Sequence, residues 1–338
     1  MSTSETESRP KEIAAAKRLG GARVLIEQWR QLVGPNERTL VACSGGSDSC
    51  GVAIALASAL GEPGGDRLVI AHIQHDLRNA DETEADEANV RELARLLGTR
   101  FAAESVTVGG TRGEEDARTV RYQALMRLAD RNACQAIATG HHADDQAETV
   151  MMRLIRGAGA RGLGGMRASR TLDNGCRLIR PALEVTRQQL QEVCQSIGWD
   201  WREDPTNAST NRLRSALRLG VMQELEQLAP GVVERLGRTA LMMANLDQLV
   251  NQIAREHLGE GQTNWTRDQL RAENPAVIGT AIRNATGNIG LDERGWKHIE
   301  TIVRAINDRS TQPRTFQLAG AFSIRVTANQ VEVVNNQK

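Results

Sequence analysis

Between Thr39 and Arg156, short apolar runs rich in β-branched residues alternate with longer amphipathic stretches. Thr39–Cys43, Leu68–Ile73, Phe101–Val106 and Ala136–Thr139 have the length and composition of strands. The stretches after them, at 48–60, 82–97, 115–131 and 143–156, have the spacing of helices. Strands that each feed a helix must line up side by side, so the spacing predicts an α/β fold with a mostly parallel, doubly wound sheet. Ligands of such sheets lie beyond the carboxyl ends of the strands. Chemistry is therefore expected in the loops after Cys43, Ile73 and Thr139.

The loop after Cys43 reads Ser44-Gly45-Gly46-Ser47-Asp48-Ser49 and runs straight into a helix. Glycines let backbone N–H groups close around a phosphate, and the helix start adds unpaired donors and a positive dipole end. Serine hydroxyls add neutral donors. Asp48 would repel a bare phosphate, so it fits better as a ligand of Mg²⁺. There is no G-x-x-x-x-G-K-[ST] and no G-x-G-x-x-G after a strand, which excludes two common nucleotide motifs. A plain Ser-Gly turn with Asp48 as helix cap is the alternative.

The loop after Ile73 reads Gln74-His75-Asp76-Leu77-Arg78, and Gly140-His141-His142-Ala143-Asp144-Asp145 follows Thr139. Histidines and carboxylates at strand ends also occur in two-metal hydrolases, but that reading leaves the glycine-serine loop unexplained. Alternatively Asp145 shares Mg²⁺ with Asp48 while Asp144 caps the helix that follows. His141 or His142 would then donate to a departing phosphate. Further on, Gly157–Met166 is glycine-rich, and Arg153, Arg156, Arg161, Arg167 and Arg170 make it the best basic patch of the chain. Such a patch suits a nucleic-acid backbone, or is a solvated loop.

That patch matters because 42 basic and 42 acidic residues cancel, so no global field draws nucleic acid in. Aromatics at 3% are too few for recognition mainly by base stacking. The five cysteines have no C-x-x-C spacing, which fits reduced thiols in a cytoplasmic protein. No apolar run is long enough to span a membrane.

The pattern S-G-G-x-D-S after a first strand resembles the pyrophosphate loop of the ATP-pyrophosphatase superfamily. Read together and in order, further motifs resemble the tRNA(Ile)-lysidine synthetase family. They are H-D-L-R at 75–78, E-x-x-x-R-x-x-R-Y from Glu114 to Tyr122, G-H-H-A-D-D-Q-A-E-T at 140–149, the glycine-rich loop, R-P-A-L-E-V-T-R at 180–187 and W-R-E-D-P-T-N at 201–207. The resemblance covers roughly residues 37–220. The family's R-N-x-x-R element is matched by Thr210-Asn211-Arg212-Leu213-Arg214, with threonine in place of its first arginine. Related tRNA thiolation enzymes share two of the motifs but carry paired cysteines.

The resemblance implies an adenine nucleotide alpha hydrolase-like fold and an ATP-dependent ligase. ATP and Mg²⁺ would serve it, with Ser44, Gly45, Gly46, Ser47, Asp48 and Ser49 holding ATP, and Asp48 and Asp145 the metal. Asp48, Asp145 and His141 would be catalytic. Its partners would be a tRNA(Ile) with a CAU anticodon and free L-lysine, with room left for a homodimer. Arg118, Arg121, Arg153, Arg156, Arg161, Arg214 and Arg218 are tRNA-binding candidates. The expected divisions are an N-terminal tail and helix (1–36), a catalytic domain (37–220), a helical region (221–310) and a small C-terminal β element (311–338).

Overall fold

The computed structural model describes residues 11–61, 64–75, 80–107, 114–202, 212–287, 295–318 and 322–336. Two compact units share the chain. One takes the described residues up to Thr149 together with Met166–Arg238, and the other takes Val150–Gly165 and Thr239 onward.

The first unit holds a six-stranded sheet in the order β3-β2-β1-β4-β6-β5. Its strands are β1 (Thr39–Ala42), β2 (Leu68–His75), β3 (Arg100–Val106), β4 (Ala136–Ala138), β5 (Ser169–Thr171) and β6 (Arg177–Ile179). All pairings are parallel except that of β5 with β6. Alternate strand residues face opposite ways, as a pleated strand requires. Val41, Ile70, Ala138 and Ile179 enter one buried cluster, while Leu40, Val69, Ala71, Ile137 and Leu178 enter another. The predicted parallel sheet is thus present, with both faces covered.

The first cluster contains α1 (Gly20–Leu32), α2 (Ser47–Leu60) and α7 (Arg187–Gln195). Between α2 and α7 in the chain come α3 (Ala80–Leu96), α4 (Glu114–Arg131), α5 (Ala143–Ile155) and α6 (Ala160–Leu163). Gly51 lets α2 approach α7 closely, since a Cβ there would sit 2.7 Å from the Leu190 carbonyl oxygen. The N-terminal helix, expected to stand apart from residues 37–220, belongs to this same core. Leu25 and Trp29 are buried, and the Trp29 indole donates to Thr39 Oγ1 at 3.0 Å. The chain runs from β1 to β2 and β3 on one side, then returns to β4 on the other. The order therefore reverses between β1 and β4, which is where a crevice opens in such sheets.

The second unit has an antiparallel sheet, β7-β10-β9-β8. Its strands are β7 (Asn264–Thr266), β8 (Arg314–Gln317), β9 (Phe322–Val326) and β10 (Gln330–Asn335). Trp265, Ile278, Ile302, Ile324 and Val331 share its core. The C-terminal β element expected at 311–338 is therefore joined by β7 and packed with helices of the preceding region. Arg267 holds this unit together from inside. It is 3% exposed, and its guanidinium donates to the carbonyls of Ala305, Ile306, Asp308, Ser310 and Thr327. No helix among the described residues is long and apolar enough to cross a membrane.

Candidate active site

The Ser44–Ser49 loop lies between β1 and α2, as its sequence predicts. Gly45 has φ +94°, a conformation that side chains resist. The Ser44 amide donates to Ser49 Oγ at 3.1 Å, while the Ser49 hydroxyl donates to the Gly46 carbonyl at 3.1 Å and meets Ser44 Oγ at 3.2 Å. The Cys43 thiol also donates to Ser49 Oγ, at 3.6 Å. Ser49 is a latch that fixes the loop, and the donors left for a ligand are the first amides of α2, which have no intrahelical acceptor. His72 Nδ1 lies 2.9 Å from the Cys43 carbonyl and ties the end of β1 to β2.

The loop after β4 comes up against this one. A Cβ on Gly140 would lie 3.0 Å from the Ser49 nitrogen and 3.1 Å from the Asp48 carbonyl carbon, so glycine is what permits the approach. The segment leading into α7 runs alongside, with the Ala143 amide donating to the Val185 carbonyl at 2.8 Å. It brings Arg187 Nε to 3.5 Å from Asp48 Oδ1. Three loops distant in sequence thus meet at the β1–β4 reversal.

His142 sits at their centre, 4% exposed. Its Nε2 is 3.5 Å from Asp48 Oδ2 and 3.4 Å from Asp145 Oδ2, and its Nδ1 is 3.2 Å from Asp144 Oδ2. Burial pulls its pKa down, but Asp145, Asp144 and Asp48 outweigh that and hold it at about 10. Burial likewise opposes charge on Asp48, where His142 and Arg187 prevail and keep the carboxyl below its ordinary range. His141 is the opposite case. Burial lowers its pKa to about 4, against Asp145 and with help from Arg180, Arg118 and Arg121. Its Nδ1 meets Thr139 Oγ1 at 2.8 Å. Two adjacent histidines therefore carry different charge at neutral pH.

The aspartates divide their work differently from the sequence reading. Asp145 Oδ2 accepts from the His142 amide at 3.2 Å, capping its own helix, while Asp144 Oδ2 accepts from the Arg187 amide at 2.9 Å and caps α7. Asp145 Oδ1 is held by Arg214 and Arg218 at 3.0 and 3.1 Å. The same guanidiniums grip buried Glu148 through their Nε atoms at 2.8 and 2.7 Å. Arg214 and Arg218, read from sequence as tRNA ligands, are thus engaged with these carboxylates. Among the described residues no three side chains are arranged to hold a metal ion unaided. Asp48 and Asp145 each place one carboxylate oxygen beside His142 Nε2, at 3.5 and 3.4 Å.

The other candidates lie elsewhere. Arg118 and Arg121 are exposed on α4, with guanidiniums 5.5 and 5.9 Å from the Tyr122 ring centre. Arg153, Arg156 and Arg161 belong to the second unit, where Arg153 clamps the glycine-rich turn by donating to the Gly162 and Gly165 carbonyls, each at 2.7 Å. Residues 76–78 of H-D-L-R, 203–207 of W-R-E-D-P-T-N, and Thr210 and Asn211 lie outside the described residues. Sequence reading missed Arg187 and Glu148 as site residues, although both ended up inside quoted motifs. It also missed that Cys43 and Cys50, buried behind the loop, touch at 3.8 Å.

Comparison with known proteins gives the family and the fold. The PP-loop domain family matches residues 23–225. The tRNA(Ile)-lysidine synthase of Dehalococcoides mccartyi is 35% identical over 294 residues, covering 82% of this chain and 62% of that protein. The synthase of Rhodopirellula baltica is 33% identical over 318 residues and covers 80% of each chain. That of Salinispora tropica is 41% identical over 212 residues, covering 61% and 62%. The chain thus spans about three fifths of the first of these relatives and four fifths of the second. Among solved structures, the U34-tRNA thiolase NcsA from Methanococcus maripaludis superposes with TM-score 0.55 at 19% identity, covering 67% of this chain and 78% of that one. At that identity it supports the fold alone.

Proposed function

This chain belongs to the tRNA(Ile)-lysidine synthase family of PP-loop proteins, and from that premise we propose that it joins free L-lysine to C2 of the wobble cytidine in a tRNA(Ile) bearing a CAU anticodon. The observation that carries the reading is the meeting of the Ser44–Ser49 loop with the 140–145 loop at the β1–β4 reversal. It sets Asp48, at the start of α2, and Asp145 on either side of His142.

ATP lies with its pyrophosphate against the first amides of α2. The cytidine O2 attacks the α-phosphorus; an O–P bond forms, the bond to the β-phosphate oxygen breaks, and pyrophosphate departs. Asp48 and Asp145 would hold Mg²⁺, which when bound neutralises charge on the phosphates. His141, neutral at physiological pH, is suited to donate a hydrogen bond to the departing group. Arg214, Arg218 and Glu148 orient Asp145, while Arg187 orients Asp48. The lysine ε-amine, deprotonated by a carboxylate or histidine of the β4 loop, then attacks C2 and expels AMP. Catalysis belongs to the first unit, and Arg153, Arg156 and Arg161 of the second grip the tRNA backbone.

The thiolation alternative would need an accessible nucleophilic cysteine, whereas all five cysteines are buried. The test is release of AMP and pyrophosphate with an unmodified CAU transcript. The reading expects transcript-dependent pyrophosphate release without lysine and AMP release only with it. Release that ignores the transcript contradicts it.

A further inference from the structure

Tyr122 stands at the centre of a cluster of positive charge that the reaction above does not use. Its ring is 7% exposed, and its hydroxyl lies against the Arg180 side chain. The guanidinium carbons of Arg118, Arg121 and Arg170 lie 5.5, 5.9 and 5.4 Å from the ring centre. Arg180, 6% exposed, donates to the Arg167 carbonyl at 2.7 Å and reaches the Tyr122 hydroxyl. Among the described residues none of these four guanidiniums is bridged to a carboxylate.

Like charges repel. A protein that gathers four guanidiniums around one phenol without a carboxylate bridge has built a place for an anion. Guanidinium forks and a phenol hydroxyl match the tetrahedral oxygens of a phosphate. The place is also defined. Arg180 follows β6, and β6 pairs with β4 on the side away from β1, so the cluster flanks the β4 loop opposite the Ser44–Ser49 loop. Arg180, Arg118 and Arg121 act electrostatically on His141.

We propose that Arg118, Arg121, Arg170 and Arg180, gathered round Tyr122, form a second phosphate-binding site, separate from the Ser44–Ser49 loop. It rests on the reading above, in which an RNA base is set beside ATP. Its position across β4 from the ATP loop favours a backbone phosphate of the RNA, next to the nucleotide being modified, over a phosphate of ATP.

Tyr122 is the only tyrosine of the chain. Replacing it biosynthetically with 3-fluorotyrosine gives a single ¹⁹F resonance at the centre of the site. Wild type and Arg118→Gln/Arg121→Gln would be titrated with inorganic phosphate, with ATP, and with the CAU transcript. Both replaced residues are exposed, so the variant should fold, and an unchanged melting curve verifies it. The expected result is a saturable shift with transcript and a smaller one with phosphate. In the variant, transcript affinity should drop about 10-fold, and its salt slope should flatten by about 0.7 for each lost phosphate contact. A shift with ATP alone, lost in the variant, assigns the same site to polyphosphate. A resonance that ignores all three probes, or responds equally in the variant, overturns the site. If wild type binds no transcript, the function proposed above fails, and the inorganic phosphate titration still decides the site.

Discussion

Gly140→Ala tests whether the two loops must touch. The backbone of Gly140 does not need a left-handed conformation, so alanine is excluded by space alone. Its Cβ would fall 3.0 Å from the Ser49 nitrogen, 3.1 Å from the Asp48 carbonyl carbon and 3.1 Å from the Ser49 Cα. All three are backbone atoms at the start of α2, so no side chain can rotate away, and the loops must part by a few tenths of an ångström. Overpacking of this kind costs about 1–3 kcal/mol, and a stiffer unfolded chain returns roughly 0.4–1 kcal/mol. The net loss of about 1–2 kcal/mol lowers the melting temperature of the first unit by roughly 2–8 °C. The chemical effect should be larger, because misplacing Asp48 against Asp145 by even a fraction of an ångström slows a positioned reaction about 10- to 100-fold. The assay is transcript-stimulated pyrophosphate release at saturating ATP, beside a melting curve. Gly220→Ala is the control, since a Cβ there meets nothing within 4 Å. A Gly140→Ala protein that melts and turns over like wild type would refute the reasoning.

Glu148→Gln removes a buried charge facing two guanidiniums, and should cost about 3 kcal/mol, the low end for breaking a buried pair because both arginines keep some solvent contact; urea unfolding measures it, and a loss below 1 kcal/mol contradicts the network. Arg267→Gln should destabilise the second unit by about 3 kcal/mol or more by leaving several buried carbonyls unmet; amide exchange around β7 and β10 should speed up while the first unit stays protected. The two central histidines should give opposite pH effects. His142, raised to about 10, stabilises the fold fully below pH ~6.5, and that contribution disappears as pH rises from ~6.5 to 10. His141, lowered to about 4, leaves the folded state short of a proton that the unfolded chain binds, so stability falls as pH drops from ~6.5 to 4. Urea midpoints across pH for His142→Gln and His141→Gln check each limb, and a limb that persists in its own variant assigns it to another group.

What could be read from the chain was what depends on neighbours in sequence. The Ser44–Ser49 loop announces itself because glycine freedom, hydroxyl donors and a helix start act within six residues. The parallel sheet was legible because burial on both faces leaves continuous apolar runs. β5 and β6 were not, since Ser169-Arg170-Thr171 carries no apolar residue and Arg177-Leu178-Ile179 only two. Arg187 and Asp48 meet across the fold, and nothing local in either announces the other. His141 and His142 look alike in sequence, yet burial governs the one while three carboxylates surround the other, a difference set by which way each side chain leaves the loop. The boundaries of the compact units fall inside α5, at the end of the glycine-rich Gly157–Met166 segment and inside the long helix Val232–Leu258, and the two that lie within helices have no linker to mark them.

The central claim is that Asp48 and its loop activate a tRNA base for attack by lysine. It is tested most directly by incubating an unmodified CAU transcript with ATP, Mg²⁺ and isotopically labelled lysine, then digesting the RNA to nucleosides for mass spectrometry. The account expects one cytidine per tRNA, at the wobble position, to carry the whole lysine with its label, and Asp48→Ala to abolish it while leaving transcript binding intact. Label that never enters the RNA, or that enters equally with Asp48→Ala, would contradict it.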